Sequence, residues 1–214
     1  MQKRILQVLA IVIAASPLGA LAQAPKDGVY ITHEDVQAVL KHAADTKRTI
    51  PDNTIRVIDM GKYQLGVAVV HRGATGAPAA RGRGNAPAPP ANPQPACGEQ
   101  RAGATGPGGI MHDDTAESYV IISGSATMIT GGTIVNGRRS SPTDEVTTVL
   151  NGPSCSGTMV GFTSHQVKEG DTIIVPEGVP HGFSTIPDHV TYLSIRPDLK
   201  KVLQHGYVNP GLKK

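Results

Sequence analysis

The chain has 214 residues, the length of one medium domain, with 25 glycines and 17 prolines against five tyrosines, two phenylalanines and no tryptophan. That richness in turn formers excludes a coiled coil or a long-helix protein and points to an all-β domain with many turns. The net charge is +3 with histidines neutral, too small to indicate nucleic acid as a partner.

Residues 1–22 read as a signal peptide. Lys3 and Arg4 supply a positive start, and Ile5 to Ala15 is an apolar run too short to span a bilayer. Ala20-Leu21-Ala22 is a small-x-small cleavage site, which places the cut before Gln23; a cut after Ala24 is the lesser option. Losing Lys3 and Arg4 takes the charge from +3 to +1. No later stretch is apolar enough to cross a membrane, so the expectation is a periplasmic or secreted protein that does not engage the membrane after cleavage. In that oxidising space Cys97 and Cys155 are expected to pair, tying together two long loops.

Residues 23–53 form an N-terminal helical arm. Thr32 has the chemistry of an N-cap, and Glu34 and Asp35 suit the positive end of a helix dipole. Val36, Val39, Leu40 and Ala43 share one face, giving an amphipathic helix from Glu34 to Ala44 with His33 and His42 at its surface. A barrel is expected over residues 54–214. Its first strands are Thr54 to Met60 and Lys62 to His71; in the second, Tyr63, Leu65, Val67, Val69 and His71 alternate onto the more apolar face. Residues 72–109, dominated by Ala, Pro and Gly, read as an irregular insertion. Its arginines have no interleaved aromatics, so nucleic acid is not expected there either. Eight further strands follow: Ser118 to Ile122, Ala126 to Ile129, Thr133 to Asn136, Val146 to Leu150, Thr158 to Phe162, Thr172 to Val175 (buried), Gly182 to Thr185 and Val190 to Ile195. Asn136-Gly137 and Asn151-Gly152 are turn dipeptides. Many short strands between Gly- and Pro-bearing turns make a sandwich or barrel.

Two stretches carry chemistry. In Gly170 to His181, a turn and a short strand lead into the rigid segment Pro176 to Pro180, which presents His181 at the start of the next strand. In His112-Asp113-Asp114-Thr115-Ala116-Glu117, a histidine and a carboxylate flank a turn and can converge on one ion. These stretches resemble the two motifs of the cupin superfamily. Gly170, Pro176, Gly178 and His181 match G(X)5PXG(X)2H(X)3N in register, with Thr185 in place of the final Asn. His112, Glu117 and Gly124 match the second His, the Glu and the last Gly of G(X)5HXH(X)3-4E(X)6G; Ile110 stands where the first His belongs, and Ala104 where the opening Gly does.

The resemblance covers roughly Tyr63 to Arg196 and implies a cupin-type jelly-roll β-barrel. It also implies one divalent metal ion held by His112, Glu117 and His181. Two histidines and a carboxylate suit an iron site with open positions, so Fe is favoured, with Mn, Zn, Ni or Cu compatible. A shifted alignment, with His112 and Asp114 as successive ligands, ranks lower because only two residues would separate Asp114 from Glu117. Tyr119 shares the strand face of Glu117 and is a candidate catalytic residue, to orient substrate or donate a proton. His71 is the second catalytic candidate, as a replacement ligand or a substrate contact. Phe183 shares parity with His181 and is expected in the cavity wall, while His165 is expected to be exposed.

The expected function is an exported metal enzyme acting on a small organic substrate, with an oxygenase-type reaction favoured. A metal-dependent isomerase, decarboxylase or lyase, or a non-catalytic small-molecule-binding protein, is the alternative. A copper-dependent polysaccharide oxidase of the histidine-brace type is excluded by Gln23 at the expected mature N-terminus. The resemblance leans toward a homodimer.

Overall fold

The computed structural model describes residues 24–76 and 94–212. The expected signal peptide and the cut before Gln23 lie outside the described residues, as does 77–93 of the expected insertion.

Helix α1, His33–Asp45, is closed at its start by a reciprocal cap. Asp35 N–H donates to Thr32 Oγ1, and Thr32 N–H donates to Asp35 Oδ2, both at 3.2 Å. The expected apolar stripe buries Val36 and Val39 against Ile55 and Val69. Eleven strands follow among the described residues: β1 (Asp52–Asp59), β2 (Gln64–Gly73), β3 (Ala96–Cys97), β4 (Gly108–His112), β5 (Glu117–Thr130), β6 (Thr133–Arg139), β7 (Ser154–Val160), β8 (Thr163–Lys168), β9 (Thr172–Val175), β10 (His181–Thr185) and β11 (His189–Asp198). All the strand pairs are antiparallel. The order is β1-β2-β11-β5-β10-β4-β7-β6-β3, with β8 and β9 also on β5.

Strand β5 joins two sheets. Its first half pairs with β11 and β9, and its second half with β10 and β8. The bend falls at Gly124, where φ is +77° and a Cβ would lie 2.0 Å from the carbonyl oxygen of His189. Only glycine meets both conditions. The two expected strands Ser118 to Ile122 and Ala126 to Ile129 are therefore one strand folded across a corner. Between the sheets lies a core of Tyr119, Ile121, Met128, Val175, Val190 and Tyr192, among others. This is an all-β jelly-roll barrel with a short N-terminal helix outside it.

Several local expectations change. Val146–Leu150 is a π-helical turn instead of a strand. Its carbonyls are captured from outside: Thr54 Oγ1 donates to Val149 O, Arg196 Nη1 to Leu150 O and Gln204 N–H to Thr148 O. Asn136-Gly137 is an irregularity within β6, where the register shifts between Val135 and Arg138, instead of the end of a strand. Strand β9 is only half-buried: Ile174 is 64% exposed, while Val175 belongs to the core. Strand β8, for which no expectation was made, carries the exposed His165. Within 72–109, β2 extends to Gly73 and β4 begins at Gly108, while β3 pairs with β6. Cys97 and Cys155 form a disulfide, but they join strands β3 and β7 and not two loops. No helix among the described residues is long and apolar enough to cross a membrane.

Candidate metal centre

Three elements deliver one cluster. Strand β4 ends on His112, β5 begins on Glu117, and β10 begins on His181. The register sets His181 opposite Ile110 of β4 on one side and Thr130 of β5 on the other. The turn before His181 is pinned directly to the first histidine, since Gly178 N–H donates to His112 O at 2.8 Å. Gly178 takes φ +69°, which suits the glycine that the motif requires.

The three residues are 3% exposed or less, and their ligand-type atoms lie within 4.8 Å of one another. His112 Nε2 is 3.2 Å and His181 Nε2 3.1 Å from the same carboxylate oxygen, Glu117 Oε2. The proton positions follow from the other ring nitrogens. His181 Nδ1 is 2.9 Å from Val179 O, a carbonyl that can only accept, so Nδ1 carries the proton. Ser154 Oγ donates to Gly152 O, which leaves it to accept from His112 Nδ1 at 2.8 Å. In the neutral tautomers both Nε2 lone pairs therefore face a carboxylate oxygen. His181 Nε2 is buried and has no hydrogen-bond partner, as expected of a lone pair facing a carboxylate oxygen. Three electron-pair donors converge on one point, an arrangement that fits a cation.

The charge states agree. Burial pushes His112 below its ordinary range, outweighing the pull of Glu117 toward protonation. Burial opposes the charge on Glu117, but the Arg196 guanidinium beside it overcomes that and holds the carboxyl well below the usual range. Glu117 Oε1 accepts from Asn151 Nδ2 at 2.8 Å, and from Ser194 Oγ and Arg196 Nε at 2.9 Å each. Arg196 spans onward to Asp52 Oδ2 at 2.6 Å. One carboxylate oxygen is thus fixed by three donors, which turns the other toward the histidines.

Tyr119 points inward as its parity requires, and its hydroxyl donates to Glu117 Oε2 at 2.6 Å. Burial, and then the neighbouring carboxylate, hold its phenol well above the ordinary range, so it stays protonated. His71 is not brought to the cluster. It lies on the outer face of β2 with Val69, beneath α1, with Nδ1 2.8 Å from Thr191 Oγ1. The face read as the barrel's inside because it is more apolar is the one that the helix covers. Val70 and Arg72 face the interior instead. Asp114 is paired with Lys200, which removes it from any ligand set. Phe183 lines the cavity as expected.

The cluster opens on a cavity of about 170 Å³ whose wall includes Ile110, Arg72, Tyr192, Phe183, Asn151 and Arg196. Arg196, Ser194, Ser154 and Tyr192 were not singled out from sequence, while Asn151 reads there only as a turn residue and Arg72 as a charge of the irregular insertion. For β11 a signal existed: Val190, Tyr192, Ser194 and Arg196 alternate onto one face, and a charge ending a buried alternation needs a partner.

The topology, the bend at Gly124 and the turn carrying His181 give the chain the architecture of a cupin. No family model matches the chain, and no curated protein matches it. Solved structures similar to it include the DMSP lyase DddQ from Ruegeria pomeroyi (12% identity, TM-score 0.32, 70% of this chain and 45% of that one). Others are the cupin domain of Schizosaccharomyces pombe Cnp3 (9%, 0.33, 69% and 61%) and an RmlC-like cupin from Methanocaldococcus jannaschii with a double-stranded β-helix fold (11%, 0.33, 72% and 88%). The chain spans less than half of the first and about three fifths of the second. These superpositions are too loose to carry chemistry across.

Proposed function

We propose that this chain is an exported, metal-dependent cupin enzyme acting on a small organic substrate, with His112, Glu117 and His181 holding one divalent ion. The observation that carries the reading is the facing of two buried Nε2 lone pairs onto one carboxylate oxygen, with both Nδ1 atoms committed elsewhere. An ion held by two histidines and one carboxylate keeps coordination positions open and supplies Lewis acidity or an electron, and this donor set suits iron first. An oxygenase-type reaction is therefore the favoured class. Ile110 takes the place of a fourth protein ligand and leaves an apolar wall beside the site. In this reading Tyr119, already donating to the ligand carboxylate, orients that oxygen.

The test is metal content by mass spectrometry of protein from the periplasm or medium, then titration of stripped protein with Fe, Mn, Zn, Ni and Cu. One equivalent in the wild type and none in His181→Ala is the expected result. Oxygen uptake against a panel of small acids and phenols then separates oxygenase from lyase or isomerase chemistry. A wild type that takes up none of the five ions overturns the site.

A further inference from the structure

The cavity holds a cation that the metal cluster does not use. Arg72 lines its wall, half-buried, and makes no ion pair among the described residues. Its one side-chain hydrogen bond there is Nε to the hydroxyl of Tyr192 at 3.4 Å, a long contact. Its guanidinium sits 5.7 Å over the centre of the Phe183 ring. The contrast with Arg196 is clear, because that guanidinium is fully engaged by Glu117, Asp52 and Leu150 O. Arg72 has a ring on one face and a phenol at Nε, which leaves its outer N–H groups free of any carboxylate.

The charges on the cavity wall are Asp52, Glu117, Arg72 and Arg196. Two acids balance two guanidiniums, so a divalent ion on the cluster leaves the cavity with a net positive charge. Aromatic residues, scarce in the chain, gather here: Tyr119 packs at a tilt against Tyr192, 4.5 Å between centroids, and Tyr192 likewise against Phe183 at 5.7 Å. A rigid wall of rings, a planar cation and a metal cluster thus share about 170 Å³.

We infer that the substrate of this site is a small carboxylate, its carboxyl group held by Arg72 and its body against the Phe183–Tyr192 wall. The inference rests on the metal-centre reading for the reacting end of the molecule, but the anion site rests on Arg72 alone. A guanidinium fork matches a carboxylate in two parallel hydrogen bonds, and such bonds are among the stronger ones when both partners are charged. The cavity's size limits the acid to a few heavy atoms beyond the carboxyl group or to one small ring.

Calorimetric titration of zinc-loaded and zinc-free protein with acetate, benzoate and their neutral amides, acetamide and benzamide, tests this. The zinc-loaded wild type is expected to prefer each acid to its amide by at least tenfold. The zinc-free wild type is expected to keep a smaller preference of the same sign. Arg72→Gln is expected to weaken benzoate about tenfold to a hundredfold and to abolish the preference in zinc-free protein, with zinc affinity unchanged. Equal binding of acid and amide by the wild type overturns the proposal, as does full benzoate affinity in Arg72→Gln. If Arg72→Gln does not fold, the acid-against-amide comparison in zinc-free wild type decides. A protein that takes up none of the five ions but still prefers acids through Arg72 would sink the metal reading and leave this one standing.

Discussion

Ser154 is the residue on which the tautomer of His112 depends. Its hydroxyl donates to Gly152 O and so accepts the Nδ1 proton, leaving Nε2 free as a ligand. Groups that orient a metal-binding imidazole typically contribute tenfold to a hundredfold in metal affinity. Ser154→Ala is therefore expected to weaken the metal by that factor, measured by competition with a chelator, while His181→Ala loses it. The same buried groups give metal-free protein a pH dependence. His112 is pushed down by burial, so the native state resists a proton that the unfolded chain accepts near pH 6.5; His71, exposed on the outer face, is shifted the same way by its partial burial and by His189. Stability rises with pH wherever the unfolded state binds more protons. It is thus expected to fall as the pH drops through about 6.5. Glu117, held low, adds its own loss below its ordinary 4.5. Thermal melts of stripped protein between pH 8 and 4 check the sign; a melting temperature that rises on acidification would contradict it.

At the scale of elements, β5 is the part on which both sheets depend, and Gly124 is its hinge. Gly124→Ala brings a left-handed φ together with a contact at 2.0 Å to backbone, whereas Gly170→Ala has φ +91° but open space around it. Both should lose the conformational cost of about 1–3 kcal/mol, and Gly124→Ala more, through the clash. Urea denaturation of the two variants measures the difference, and equal losses would show that the corner can shift. These two glycines were legible because a motif fixes them locally, as were the Thr32 cap and the turn that carries His181. The π-helical turn at Val146–Leu150 was not. Its β-branched residues favour a strand, and what defeats that preference is three donors reaching in from Thr54, Arg196 and Gln204, far away in sequence. Arg72 was hidden for a different reason: the expected strand ends at His71 and Arg72 reads with the charges of the irregular insertion, whereas β2 runs on to Gly73 and carries it into the barrel wall. Asn136 read as a turn former, yet its amide grips both backbone groups of Arg101, a partner 35 residues away.

At the scale of the whole molecule, the barrel is closed on two sides, by α1 packed on one sheet and by β3 added at the edge of the other beside β6. The second closure is held by the Cys97–Cys155 bridge, whose sulfurs sit in a cluster with Ile129, Ile134 and Met159. The bridge spans 58 residues, for which chain entropy gives about 4 kcal/mol. For a domain of this size, that is worth roughly 8–16 °C in melting temperature. The bridge also bears on the site, because the ladder partner of Cys155 immediately precedes that of Ser154: Met111 pairs with Cys155, and His112 with Ser154. Loosening β3 from β7 should therefore reach His112 through β4. Reduction, or the double variant Cys97→Ala/Cys155→Ala, is expected to lower the melting temperature by that amount and to weaken metal binding, while His181 and its turn keep their geometry. Melts with and without reductant, paired with a chelator competition, measure both effects. An unchanged melting temperature would mean that strand pairing alone holds β3, and unchanged metal affinity would mean that β4 is fixed by β10 without help from β7.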